Sequence, residues 1–346
     1  MKRILLGKTG LEVNRLGLGG IPIQRVDETQ AVETILHAVE SGVDFIDTGR
    51  GYTTSEQKIG KALKETNRKV VLASKSQDKT SQGVRKDIET SLTALQQDYI
   101  DLYQCHLVKN NDEYEQVISP GGAFEGLSKA REEGLIGHIG ITSHSLDLFE
   151  RVLDEGLFET IMVCYSFLEP AAEEKIIPKA IEKGVGVIAM KPFSGGVIED
   201  ARLALKYLLS RDGFVIIPGV EEKKLFDENW EIFRGSHDLD EREKAEIKAF
   251  RDRYDKVFCR RCDYCQPCSE DIPIQIVLSM RSLVKKSGLG LFEREPFRVA
   301  FEKAGECSEC GECMTRCPYE LPIPDLIKEN FLWVKEQLDA SGKASD

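Results

Sequence analysis

A parallel (β/α)8 TIM barrel followed by a small α-helical domain is the α/β architecture this sequence predicts, and three observations predict it. Apolar strand-like runs alternate with amphipathic helical patterns eight times within about 230 residues, the usual size of such a barrel. Polar residues follow three successive strands at matching positions, as they do where a barrel gathers its chemistry. Eight of the ten cysteines then fall between Cys259 and Cys317, past the last strand. The expected boundaries are residues 1–235 for the barrel, 236–256 for a charged helical linker and 257–346 for the cysteine-rich domain.

The chain opens on an expected hairpin over residues 3–13, with Lys8-Thr9-Gly10 at its turn. The predicted strands are 16–19, 45–47, 70–74, 100–104, 139–142, 161–165, 186–190 and 214–217. Helical patterns lie between them at 28–39, 55–63, 85–95, 124–133 and 171–183. Asp27 with Gln30 reads as a capping box for the first helix. An open doubly wound sheet is the alternative, but no Gly-x-Gly-x-x-Gly opens a helix after a strand.

The balance of 47 basic against 59 acidic residues gives a net charge of −12. That argues against nucleic acid or an anionic membrane as partner, since either needs a basic footprint. No run approaches the roughly 20 apolar residues of a membrane span. The apolar run after Met1-Lys2-Arg3 is too short for a secretory signal, so a cytoplasmic location is expected. In a reducing compartment, clustered cysteines point to metal rather than to disulfides.

The polar residues fall into register. Asp47 ends the second barrel strand, Lys75 follows the third and His106 follows the fourth, while Tyr52 sits on the loop after Asp47. Each alone has a plain structural explanation; together they converge on one barrel mouth. Tyrosine is a weak acid with a reference pKa of about 10, and a neighbouring ammonium favours its phenolate and lowers that value. Asp47 would fix Lys75, and His106 would orient a substrate oxygen. The set is a general acid aimed at a developing alkoxide, which is what carbonyl reduction needs. Arg50, on the same loop, reads as a solvated surface arginine, with recognition of an anionic substrate group as the other reading.

These residues, with Gly7-Lys8-Thr9-Gly10-Leu11, Leu16-Gly17-Leu18-Gly19, Ser55-Glu56 and Glu228-Asn229, resemble the aldo-keto reductase family from the hairpin to about Asn229. The resemblance implies a catalytic tetrad of Asp47, Tyr52, Lys75 and His106. It also implies NAD(P)H as hydride donor to a small-molecule carbonyl, with Thr142, Ser143, Ser194, Gly195, Gly196 and Asn229 as dinucleotide contacts. Three positions depart from the family pattern. Met162 stands where a glutamine usually holds the nicotinamide amide, Met190 where an aromatic ring stacks on it, and Leu225 where an arginine clamps a 2′-phosphate. With Glu221 and Glu222 beside that last position, a preference for NADPH is in question.

The cysteines read Cys259-x2-Cys262-x2-Cys265-x2-Cys268 and Cys307-x2-Cys310-x2-Cys313-x3-Cys317-Pro318. The second run has the spacing of bacterial dicluster ferredoxins, in which the fourth cysteine serves the other cluster. An internal repeat supports pairing the two: Cys268-Ser269-Glu270-Asp271-Ile272-Pro273-Ile274 parallels Cys317-Pro318-Tyr319-Glu320-Leu321-Pro322-Ile323. The resemblance implies a ferredoxin-like domain with two [4Fe-4S] clusters. Cys259, Cys262, Cys265 and Cys317 would hold one, and Cys307, Cys310, Cys313 and Cys268 the other. Two four-cysteine zinc sites are the alternative.

A cluster passes single electrons whereas a nicotinamide gives two together, and three functional readings follow. The chain is a nicotinamide-dependent carbonyl reductase whose clusters serve a redox partner protein, or a ferredoxin-linked reductase that needs no nicotinamide. The third reading is a non-catalytic electron-transfer subunit, which the intact tetrad counts against.

Overall fold

The first residues fold back on themselves before the barrel begins. In the computed structural model, which describes residues 3–341, β1 (Arg3–Leu5) pairs antiparallel with β2 (Glu12–Asn14). The turn between them is a short 3-10 segment, Gly7–Thr9, closed by Gly10 at φ 77°. Glycine takes this left-handed conformation without a Cβ clash. Thr9 Oγ1 staples the turn, donating to Leu6 O at 2.7 Å and accepting from Leu11 N at 3.1 Å.

Eight parallel strands follow: β3 (Leu18–Gly19), β4 (Phe45–Asp47), β5 (Val71–Ser76), β6 (Ile100–Cys105), β7 (Ile136–Thr142), β8 (Thr160–Cys164), β9 (Gly186–Met190) and β10 (Phe214–Ile216). Each pairs with the next in chain order. The outer edges of the curled sheet also meet. Gly17 N donates to Ile216 O at 2.8 Å, Ile216 N to Arg15 O at 2.7 Å and Gly19 N to Pro218 O at 2.9 Å. A sequential strand order with joined edges is a barrel and not a doubly wound sheet, whose strand order reverses partway.

Short polar caps start the connecting helices. Asp27, Thr80, Asn110, Ser145 and Asp200 each accept from the backbone N–H three residues on. The expected capping box is half formed. Asp27 accepts from Gln30 N at 2.9 Å, but Gln30 Nε2 donates to Glu221 O at 3.0 Å and ties the helix to the loop after β10. The helix expected over 171–183 is two pieces, the 3-10 turn Ala171–Glu173 and the helix Ile176–Lys183. Pro178 explains the break: it has no N–H to offer a preceding turn, so it suits a first helical turn and not an interior.

Strand alternation layers the interior. Phe45, Ala73, Leu102, Met162, Ile188, Val215 and Ile217 form one buried cluster with Leu6 and Val13 of the hairpin, which fills the barrel's amino-terminal end. Two residues further along β4, β5 and β6, on the same face, come Asp47, Lys75 and Gln104; in register, Asp47 faces Ala73 and Lys75 faces Gln104. Apolar packing thus gives way to a polar layer at the carboxyl ends.

The chain divides into two compact units. One runs to Ser194 and resumes over Ile198–Glu243; the other comprises Gly195–Val197 and the residues from Lys244 onward. The charged helix expected near the boundary is Glu241–Tyr254. The second unit is helical, with Met280–Ser287, Phe297–Ala304 and Ile323–Ala340 as its longer elements. Ile272, Ile274, Val277, Met280, Leu321, Ile323, Ile327 and Val334 contribute to its core.

Candidate functional site

Two buried ends of neighbouring strands meet first. Asp47 and Lys75 are 2% and 1% exposed, and Lys75 Nζ donates to Asp47 Oδ2 and to Thr48 O, both at 2.6 Å. Lys75 lies within β5, which runs two residues further than expected. Gln104 Nε2 donates to the other oxygen, Asp47 Oδ1, at 3.3 Å. Burial works against the Lys75 ammonium, but Asp47 and Tyr52 outweigh it and raise its pKa, so it stays charged. Burial also pushes the Asp47 carboxyl up against the pull of Lys75 and Gln104.

Tyr52 and His106 complete the group. Lys75 Nζ lies 4.7 Å from the centre of the Tyr52 ring, and the His106 ring meets Tyr52 edge-on with centroids 5.7 Å apart. Lys75 pulls the Tyr52 pKa down as expected, yet the net shift is upward. Lys75 does favour the phenolate, but burial and the Asp47 charge prevail and the phenol is raised above 10.0. A buried anion is costly unless fully paired, so Tyr52 rests as a protonated donor. His106 is depressed well below its ordinary 6.5, first by burial and then by Lys75, Lys79 and Lys191. It is therefore neutral near pH 7. No described group partners its buried Nδ1.

The loop that carries Tyr52 is tied to β5. Thr48 N donates to Ala73 O at 2.8 Å and Arg50 N to Lys75 O at 3.0 Å. Thr48 Oγ1 donates to Ser55 Oγ at 2.9 Å, which donates to Gly20 O at 2.9 Å. Arg50 is half-buried rather than free on the surface. It pairs with the buried carboxylate of Glu56 and lies 3.9 Å from Asp87. Glu56 also accepts from Ser74 Oγ at 2.6 Å. Gln104 and Asp87 escaped the sequence reading, and Glu56 entered it only as part of the family pattern; the register of Gln104 with Lys75 is a signal that could have found the first.

The expected dinucleotide contacts are scattered in role. Thr142 Oγ1 accepts from Leu107 N at 2.7 Å, and Ser143 Oγ donates to Val108 O at 2.6 Å. Both hydroxyls hold the loop after β6. Ser194 Oγ lies 2.7 Å from Ser166 Oγ. Ser194, Gly195 and Gly196 run through left-handed conformations at φ 47°, 73° and 92°. Asn229 is buried in the helix Lys223–Arg234. Of the three departures, Met162 packs into the apolar barrel cluster, Met190 borders it, and Leu225 is 41% exposed. Arg25 pairs with Glu221 at 3.3 Å and Lys223 with Glu33 at 2.8 Å.

In the second unit the two cysteine runs share a backbone pattern. Arg261 and Asp263 take φ of 59° and 69°, and their counterparts Glu309 and Gly311 take 55° and 77°. Asp271 and Glu320, three residues past Cys268 and Cys317, take 54° and 51°. Each donates its N–H to that cysteine's carbonyl at 3.1 Å. Cys268, Cys307, Cys310 and Cys313 line one pocket, and the Cys313 thiol is raised by burial and then by Cys307, Cys310 and Cys268. In the other run, burial pushes the Cys259 thiol up to about 11, with Cys262 and Cys317 among its charged neighbours. Among the described residues, no three or more Cys, His, Asp or Glu side chains are gathered into a group that could hold a metal ion.

The model of the aldo/keto reductase family matches residues 15–202. The L-galactose dehydrogenase of Arabidopsis thaliana is 33% identical over 214 residues, 56% of this chain and 66% of that protein. The aldo-keto reductase YhdN of Bacillus subtilis is 29% identical over 217 residues, 57% of this chain and 64% of that one. This chain therefore spans about two thirds of the length of those relatives. Aldo-keto reductase AKR11C1 from Bacillus halodurans, in its holo form, superposes with a TM-score of 0.63 at 25% identity, covering 72% of this chain and 96% of that one.

Proposed function

The chain belongs to the aldo/keto reductase family, and from that premise we propose that it is an oxidoreductase that reduces a small carbonyl, or oxidises the matching alcohol, with Tyr52 as general acid/base. One observation carries the reading: Lys75 is held between Asp47 at 2.6 Å and the Tyr52 ring at 4.7 Å, with His106 against the same ring. A charged lysine beside a protonated phenol favours the phenolate that forms once the proton has gone to a developing alkoxide. Asp47 keeps that lysine charged and in place. Neutral His106 keeps one ring N–H and can donate it to the carbonyl oxygen.

Thr142, Ser143, Ser194, Gly195, Gly196 and Asn229 are the residues proposed to hold the nucleotide. Ser194–Gly196 offers left-handed backbone, and its two glycines leave room for close approach to phosphate oxygens. A bound nicotinamide would supply the hydride. The Arg25–Glu221 and Lys223–Glu33 pairs commit nearby cations to carboxylates, which favours NADH over NADPH.

Two [4Fe-4S] clusters are proposed for the second unit, on Cys259, Cys262, Cys265 and Cys317 and on Cys307, Cys310, Cys313 and Cys268. The neighbours of Cys259 and Cys313 follow that crossed division, and the doubled left-handed positions favour two equivalent loops. Such clusters would supply one-electron transfer, and a redox partner protein is implied. The packing of Met162 in apolar surroundings favours a second reading, a ferredoxin-linked reductase that uses no nicotinamide. Anaerobic fluorescence titration with NADH and NADPH tests the choice. Binding of either, followed by carbonyl-dependent oxidation, supports the first reading; binding of neither rejects it.

A further inference from the structure

Two buried polar atoms inside the barrel, Gln104 Oε1 and Thr160 Oγ1, find no hydrogen-bond partner among the described residues. Both residues are fully buried. Gln104 pairs in register with Gly140 on β7, and Gly140 pairs with Thr160 on β8. Alternation puts Thr160 on the same face of β8 as Met162, which packs in the barrel interior. Gly140 has no side chain to stand between the two. A Cβ at Gly140 would lie 2.2 Å from Thr160 Oγ1 and 2.9 Å from Gln104 Cγ, so both side chains lean into the space it leaves.

The two orphaned atoms are complementary. A hydroxyl carries a donor, an amide oxygen only accepts, and a buried polar atom left without a partner is costly. A Thr160 hydroxyl that donates to Gln104 Oε1, directly or across one buried water, settles which way the amide faces. Nε2 is then the end turned to Asp47, and it donates to Asp47 Oδ1 at 3.3 Å. The other carboxyl oxygen takes Lys75 Nζ at 2.6 Å. An N–H offered to Oδ1 suits a carboxylate, whereas a carboxylic acid with its proton there would need the amide turned round. Burial pushes the Asp47 carboxyl up, and Lys75 and then Gln104 pull it back.

We propose that Gln104, oriented by the Thr160 hydroxyl across Gly140, is a positioning residue that holds Asp47 as a carboxylate and thereby Lys75 as an ammonium beside Tyr52. The proposal rests on the carbonyl-reductase reading and extends its proton-delivery group by two residues that act through Asp47. Without the amide, one proton can pass from the Lys75 ammonium to the Asp47 carboxylate and leave a neutral pair, the form that burial favours. The pair sums to zero charge either way, but only the ionic form gives Tyr52 a positive neighbour. After burial, Lys75 acts on the Tyr52 phenol more strongly than Asp47 does. Neutralising both therefore moves phenolate formation to higher pH and weakens the acid.

Infrared spectroscopy of the full-length protein at neutral pH reads the Asp47 proton directly, as the carbonyl stretch of a protonated carboxyl. Gln104→Leu keeps the volume and should gain such a band over wild type, and combining it with Asp47→Asn should remove the band. Thr160→Val, which keeps the side-chain shape and leaves the amide in place, should give the same band at lower intensity. The ultraviolet titration of the Tyr52 phenolate, taken as the difference from Tyr52→Phe, should move to higher pH in Gln104→Leu. With butanal as the carbonyl, Gln104→Leu should lower kcat roughly ten- to hundredfold. Thr160→Val should lower kcat on its own and add nothing to that loss when combined with Gln104→Leu. No new band, together with an unshifted phenolate titration, would overturn the role of Gln104. Losses that simply add would overturn the role of Thr160. The band and the titration shift in a protein that reduces no carbonyl would uphold the positioning role and reject the reductase reading.

Discussion

Lys75 Nζ lies 2.6 Å from Asp47 Oδ2, with both side chains almost wholly withdrawn from water. Breaking such a pair costs more than forming it contributes, because the group left behind keeps its charge without a partner. Asp47→Ala strands the ammonium and should lower the unfolding free energy by about 3–5 kcal/mol. Lys75→Met should cost less, since the Asp47 carboxyl is already pushed up by burial and can take a proton. Urea midpoints at pH 7 check the order, and equal losses would contradict it.

Tyr52→Phe removes the proposed acid and little else. It should lower kcat for carbonyl reduction by about 10²–10⁴-fold with the fold intact by near-ultraviolet circular dichroism. Because the phenol is raised above 10.0, the wild-type rate of reduction should hold to about that pH before an alkaline limb appears. A variant within tenfold of wild type would remove Tyr52 from its role.

His106 gives the protein an acid sensitivity whose sign follows from its depressed pKa. Below the ordinary histidine value of 6.5, the unfolded chain takes up a proton that the folded one refuses. Stability is therefore highest above that pH and falls as pH drops below it, by up to about 1.4 kcal/mol per unit from this residue until the folded pKa is reached. His106→Gln should flatten the decline between pH 6.5 and 5. Unfolding midpoints that fall equally in both proteins would count against it.

Glu56 should act on the proposed reaction through the loop it holds. Glu56→Gln keeps the volume but weakens the link to Arg50 and Ser74, so Tyr52 should be less well placed over Lys75. The expected signature is a roughly tenfold fall in kcat with KM little changed. Loss of binding with kcat preserved would mean that Glu56 shapes the substrate pocket instead.

Anaerobic reconstitution with iron and sulfide should give a brown protein with about eight irons per chain. Cys317→Ser should bring that to about four by emptying the set that includes Cys259, and Cys268→Ser should do the same for the set that includes Cys307. A colourless protein that retains zinc would refute the cluster assignment.

Much of the barrel was legible because strand and helix alternate with little ambiguity. β4 and β9 lie where the pattern places them, and Asp47, Tyr52, Lys75 and His106 meet as their register requires. The misreadings share a cause. Arg50 looked solvated because a loop arginine usually is, and its partner Glu56 is brought within reach only when the loop folds against β5. The Tyr52 pKa turned on burial, which a spacing of residues does not reveal. Pro178 was visible in the sequence, and its power to split the 171–183 helix went unweighted.

The hairpin that opens the chain has a kinetic consequence. Leu6 and Val13 cork the amino-terminal end of the barrel with hydrocarbon, so Tyr52, acting as the proposed acid, would have to recover its proton from water on the rim side. Whatever occupies that rim would then stand between the phenolate and its proton source. On the proposed mechanism, departure of the alcohol and recharging of Tyr52 would be consecutive events, and a slowly leaving product would hold the enzyme in its deprotonated form.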